Sequence, residues 1–187
     1  MGVDWDIFEK LDVLGMTNNP LEANDKELRE RIQRFACRQS VMTLAVGGDR
    51  GPWAAAVLYV VGVEGDAGIC FYFVSSDKSQ HVTEAKLDSP IAAEIHSSYR
   101  DWQSILGIQM RGLLTRVTAE HRARVEELYY ARYPEIRAMV DSPGNDEERK
   151  IARAFLESRF FRLTPSFIRL VDNSAGFGTR AELRFRY

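Results

Sequence analysis

The sequence has 187 residues, with 25 Lys+Arg against 27 Asp+Glu, a formal net charge of −2 and a pI near 6.0. One domain is the expectation at this length, and the near balance of charge argues against nucleic acid as the main partner, because phosphate neutralisation needs a basic excess on some face. The longest mostly apolar run, Trp53 to Val63, is about half of the roughly 20 residues that span a bilayer.

The acidic opening (Asp4, Asp6, Glu9) offers no cationic leader. Two cysteines, Cys37 and Cys70, without a C-x-x-C pair suit a reducing cytoplasm. Residues 1–23 carry scattered turn formers and read as an N-terminal arm; residues 24–187 read as one domain. From Asn24 the pattern becomes helical. Leu28, Ile32, Phe35 and Gln39 share a face, and Asn24 with Glu27 resembles a capping box, so a helix is expected over about 25–39. Three runs rich in Val, Tyr, Phe and Leu follow: Ser40–Val46, Trp53–Val61 and Ile69–Val74. Glycine clusters at 47–51 and 62–68 separate them, the pattern of antiparallel hairpins. Val82, Ala85 and Lys86 suggest a short helix over 78–87, and Pro90–Ser97 a strand.

Ile105–Thr118 is the longest strand candidate. The two-residue repeat gives Leu106, Ile108, Met110 and Leu114 one face, and Gln109 and Arg111 the other. A polar pair in mid-strand opposite an apolar face belongs in solvent, an interface or a ligand cleft. Helical patterns cover about 119–132 and 146–157, separated by the break Ser142-Pro143-Gly144-Asn145, and a final strand is expected over Phe160–Val171. Tyr129, Tyr130 and Tyr133 are expected to pack a helix on the barrel. The order fits a mainly β, α+β barrel of about six mostly antiparallel strands with N-terminal and inserted helices. A doubly wound parallel sheet would need crossover helices between the first strands, and none is present.

The stretch from Phe71 to His81 carries the most chemistry. An apolar strand runs into Ser75-Ser76-Asp77-Lys78-Ser79-Gln80-His81 and then a helix start. Orphan helix N–H groups, hydroxyls, a lysine and a histidine at one point suit a phosphate monoester. The competing reading is a plain cap, with Ser76 or Asp77 as N-cap and Gln80 completing a capping box. His81, His96 and His121 have no metal-ligand spacing, and there is no P-loop and no G-x-S-x-G elbow. No residue qualifies as a catalytic acid or base.

The hairpin Met42–Val61, the strand–turn–helix at 69–87 and the strand Ile105–Thr118 with Gly112 resemble the FMN-binding split barrel of the pyridoxamine 5'-phosphate oxidase superfamily. Two segments are similar to motifs of the YhbP-like bacterial proteins within it: Asp77-Lys78-Ser79-Gln80-His81, and Asp172-Asn173-Ser174-Ala175-Gly176-Phe177-Gly178. The resemblance covers about residues 25–180. It implies a homodimer with one FMN in each of two interface clefts and a small-molecule substrate; the short apolar run already argues against a membrane partner. It also implies that Ser75, Ser76, Lys78, Ser79 and His81 hold the phosphate, that Ala56, Val57 and Leu58 run along the isoalloxazine, and that Gln109 and Arg111 approach the ring or ribityl chain. The departures are chemical. Ala54-Ala55-Ala56-Val57-Leu58-Tyr59 lacks the oxidases' strand arginine, Gly107 stands where they have Arg or Gln, and residues 172–187 lack their Arg- and His-rich substrate segment. The resemblance therefore points to a flavin-dependent oxidoreductase of another substrate, or alternatively to a non-catalytic carrier or sensor of haem or a deazaflavin.

Overall fold

The computed structural model describes residues 25–64 and 68–185; the N-terminal arm and the Asn24 cap lie outside them. In chain order the elements are α1 (Asp25–Arg38), β1 (Val41–Gly48), β2 (Gly51–Glu64), β3 (Gly68–Ser75), α2 (Gln80–Ala85), β4 (Pro90–His96), β5 (Leu106–Arg116), α3 (Ala119–Arg132), α4 (Pro134–Asp141), α5 (Asp146–Glu157), β6 (Arg159–Asp172) and β7 (Arg180–Arg184). The strands form one antiparallel sheet in the order β3-β2-β1-β4-β5-β6-β7, and β3 also pairs with β6. Six strands thereby close into a barrel, with β7 flanking β6. The fold is α+β and split-barrel in architecture.

The split lies in β2. Residues 51–58 pair with β1, while residues 59–64 pair with β3. The amide of Tyr59 donates to Ser40 O at 3.2 Å, so odd-numbered residues of this half direct their backbone groups to β1. The alternation of an antiparallel ladder then turns the N–H and C=O of Ala54, Ala56 and Leu58 to the opposite edge. Among the described residues no strand pairs with that stretch of edge.

The barrel interior is filled from every strand, with Leu44, Phe71, Phe73, Ile95, Ile108, Leu114, Phe161 and Leu163 fully buried. Leu28, Ile32, Phe35 and Ala36 of α1 join the same core, which is why their helical spacing dominates that segment. A second apolar cluster lies outside the barrel. Val125, Tyr129 and Tyr133 pack on Cys70, Tyr72 and Phe160, so Tyr129 and Tyr133 seat the helices on the barrel wall, while Tyr130 packs on Phe155 of α5. No helix among the described residues is long and apolar enough to cross a membrane.

Two elements differ from expectation. The count of strands is seven rather than about six, because Arg180–Arg184 forms β7 on the edge of β6. Its only deeply buried side chain is Leu183, and the alternating Arg180, Glu182 and Arg184 disguise it as a polar tail. A helix also occupies Pro134–Asp141, started by proline at its first position directly after Tyr133. The expected two faces of β5 are present: Ile108, Met110 and Leu114 face the core, and Gln109 and Arg111 are exposed.

Candidate functional site

The turn from β3 into α2 draws Ser75, Ser79 and His81 together. Ser75 Oγ lies 2.8 Å from both Ser79 Oγ and His81 Nε2, and Ser79 Oγ is 3.3 Å from His81 Nε2. The Ser79 hydroxyl donates to Ser76 O at 2.8 Å, and Ser76 Oγ accepts the Lys78 amide at 3.2 Å. Burial pushes the His81 imidazole below its ordinary pKa, which favours the neutral ring. The N-cap position of α2 belongs to Ser79, without a side-chain cap bond, so neither Ser76 nor Asp77 caps the helix. The reason is competition: Ser79 Oγ is turned toward Ser75 Oγ, Ser76 O and His81 Nε2 rather than the helix N–H groups, and Asp77 is held by arginines.

Those arginines come from the barrel wall. Arg116 at the end of β5 donates to Asp77 Oδ1 at 2.6 Å, and Arg159 at the start of β6 lies 4.0 Å from Asp77 Oδ2. The Lys78 side chain has no hydrogen-bond or ion-pair partner among the described residues. Three cations against one carboxylate leave the turn with a net charge of +2. With only six residues, α2 contributes little macrodipole, so side-chain charge rather than the helix end is the attraction for an anion. Sequence reading did not find Arg116 and Arg159, because their approach follows from the register of β3 on β6, where Ser75 opposes Arg159.

The turn is beside the open edge of β2. Phe73 opposes Tyr59, while a Cβ on Gly48 would fall 1.7 Å from Glu84 Oε2. The segment between Phe73 and Glu84 therefore runs alongside residues 51–58 to the β1–β2 hairpin. Glu84 is buried there and pairs with Arg50 at 2.5 Å. Ala56 and Leu58 are exposed on the outer face, whereas the Val57 side chain is buried in the core. Its backbone groups turn to β1 opposite Met42, so Val57 presents neither side chain nor backbone to the open edge.

Gln109 and Arg111 are elsewhere. Ala56 opposes Thr43, Thr43 opposes Glu94, and Glu94 opposes Gln109. Three strand spacings, about 14 Å along the sheet, separate the two halves of the expected site within one chain. The pair lines a shallow groove of about 500 Å³ with Thr43, Ala45, Ala92, Glu94, Phe167 and Arg169.

The Asp172–Gly178 motif has a structural task. Asp172 accepts from Ser174 N at 2.9 Å and Ser174 Oγ at 2.6 Å, and pairs with Arg31 of α1. Asn173 Nδ2 donates to Trp102 O at 2.8 Å, and Asn173 Oδ1 accepts the Gly178 amide at 3.1 Å. Gly176 and Gly178 adopt φ of 131° and 72°, which explains the glycines. Phe177 projects outward, edge-on to Trp102 with centroids 5.8 Å apart.

Comparison with known proteins agrees with this architecture. No family model matches the sequence. The chain is 24% identical over 153 residues to a UPF0306 protein of Klebsiella pneumoniae (strain 342), covering 82% of this chain and 90% of the relative. It is 23% identical over 149 residues to the UPF0306 protein YhbP of Escherichia coli O157:H7, covering 80% and 88%. Among solved structures, a heme binding protein from Mycobacterium smegmatis superposes with a TM-score of 0.60 at 17% identity, covering 90% of this chain and 60% of the other. The heme storage protein HutZ from Vibrio cholerae superposes with a TM-score of 0.55 at 15% identity, covering 74% and 89%. In sequence the chain is thus similar to UPF0306 proteins, and in fold to split-barrel proteins.

Proposed function

We propose that this chain binds FMN as a homodimer and works as a flavin-dependent oxidoreductase on a small molecule. The observation that carries the reading is the cationic turn beside an unpaired strand edge. Hydroxyls, a neutral imidazole and the Lys78 ammonium, which has no partner among the described residues, stand next to backbone donors and acceptors with which no strand pairs among the described residues. The donor set fits a phosphate monoester joined to a flat heterocycle. Ser75, Ser76, Lys78, Ser79 and His81 would hold the phosphate, with Arg116 and Arg159 neutralising Asp77 so that it does not repel the anion. The outward edge of Ala54, Ala56 and Leu58 would meet the heteroatoms of the ring, and the alanines let a plane approach closely. Gln109 would reach the cleft from the second copy, because about 14 Å of sheet is too far for one chain to close around one ring.

The flavin supplies two-electron chemistry when bound. The chain's own residues bind it, orient it and exclude water from its edge. The free thiols Cys37 and Cys70 are in keeping with a reducing cytoplasm. The second reading, a haem carrier or sensor without turnover, draws support from the two similar structures described as heme-binding and heme storage proteins.

The visible spectrum of the purified protein, with titrations of FMN and haemin, separates them. Flavin bands or saturable quenching of FMN fluorescence are expected, with a dimer mass by light scattering. A Soret band would favour the second reading. A colourless protein that ignores both additions would overturn both.

A further inference from the structure

On the outer face of the barrel three guanidinium groups surround a single ring. The guanidinium carbons of Arg111 (β5), Arg169 (β6) and Arg184 (β7) lie 5.0, 5.6 and 5.1 Å from the centroid of Phe167. The register explains the gathering, since Arg111 opposes Phe167 and Phe167 opposes Arg184. A bulge between Arg111 and Gly112 shifts the pairing there, and Ser166 Oγ donates to Arg111 O at 3.2 Å. Phe167 is thereby turned to the outer face, in line with Arg111.

Arginines remain charged at any physiological pH, so this crowding needs a counter-charge. Glu182 supplies one. Its Oε1 accepts from Arg169 Nε at 2.9 Å and Nη2 at 2.8 Å, and its Oε2 lies 3.5 Å from Arg184 Nη2. One charge is met and two are left. Arg111 has no carboxylate partner among the described residues. The nearby Glu94 instead has its carboxylate 3.8 Å from His96 Nε2. An arginine stacked on a ring, without a carboxylate and at the rim of a groove, has its planar donor fork available for an oxyanion.

The groove floor sets the shape of the rest of the ligand. Ala45 opposes Ala92 and Ala92 opposes Arg111, so two methyl-sized side chains lie in one row with the guanidinium. A volume of about 500 Å³ accommodates one or two fused rings. We propose that the groove binds a flat aromatic or conjugated carboxylate, its ring on Ala45 and Ala92 and its acid group on Arg111. This gives a substrate class to the flavin site and rests on that reading only for the ligand's being a substrate; the anion site itself stands on the groove.

The test uses the full-length protein and 2-naphthoate as probe, with 2-naphthalenemethanol as its uncharged counterpart, followed by calorimetric titration with and without FMN. The acid is expected to bind at least about tenfold more tightly than the alcohol, the worth of one charge-assisted contact. Arg111→Gln should bring the two to parity, and Arg184→Gln should weaken the acid less. Lys78→Ala should weaken FMN and leave naphthoate unchanged. Equal binding of acid and alcohol to the unaltered protein, no binding of either, or indifference to Arg111→Gln would overturn the proposal. Arg111-dependent naphthoate binding by a protein that takes up no FMN would instead uphold the anion site and remove the flavin reading.

Discussion

Lys78→Ala isolates the phosphate contact. Asp77 is already met by Arg116 and Arg159, so the mutation removes one of the two uncompensated positive charges of the turn and leaves that ion-pair arrangement in place. A hydrogen bond to a charged group contributes about 1.5–3 kcal/mol, and the exposure of Lys78 to screening water puts its share at the lower end, about 1.5–2 kcal/mol. That is about a 10- to 30-fold rise in the Kd of FMN. Fluorescence-quenching titrations should compare FMN with riboflavin, which has the same ring and no phosphate. The mutation should weaken FMN and leave riboflavin unchanged. The converse substitution, Asp77→Asn, frees both arginines and should tighten FMN at low salt more than at high salt. Equal effects of Lys78→Ala on FMN and riboflavin, or none on either, would refute the assignment of the phosphate to this turn.

Three further outcomes concern the scaffold. Gly112→Ala would set a Cβ 2.3 Å from Thr164 O and 2.8 Å from Pro165 Cα, both backbone atoms that cannot swing away. Thermal melts should show a loss of about 1–3 kcal/mol, as for other overpacked sites. Arg50→Ala leaves the buried Glu84 carboxylate without its partner and should cost about 1–3 kcal/mol in denaturant unfolding. His81 has a folded pKa below its unfolded value, so the unfolded chain takes up the proton first as the pH falls. Its contribution is full above about pH 6.5 and declines as the pH drops from there through the lower folded value. Melting temperatures of His81→Gln between pH 7.5 and 5 should accordingly fall less steeply than those of the unaltered protein; equal slopes would refute it.

Much of this fold was legible in the sequence because periodicity is a local property. The spacing of Leu28, Ile32 and Phe35 marks α1, the glycine clusters mark the hairpins, and the alternation along 105–118 separates Met110 from Arg111. The serine-, lysine- and histidine-bearing turn was equally visible, since its residues are consecutive and the turn brings them together unaided. What tertiary structure alone decided is everything that depends on register. The approach of Arg116 and Arg159 to Asp77, the open edge at Ala54–Leu58, and the gathering of three arginines on Phe167 each join residues far apart in the chain. The separation of Gln109 from Ala56 belongs to the same class. The chain's net charge of −2 hides two locally cationic patches, because composition averages over a surface and a barrel distributes charge by strand pairing.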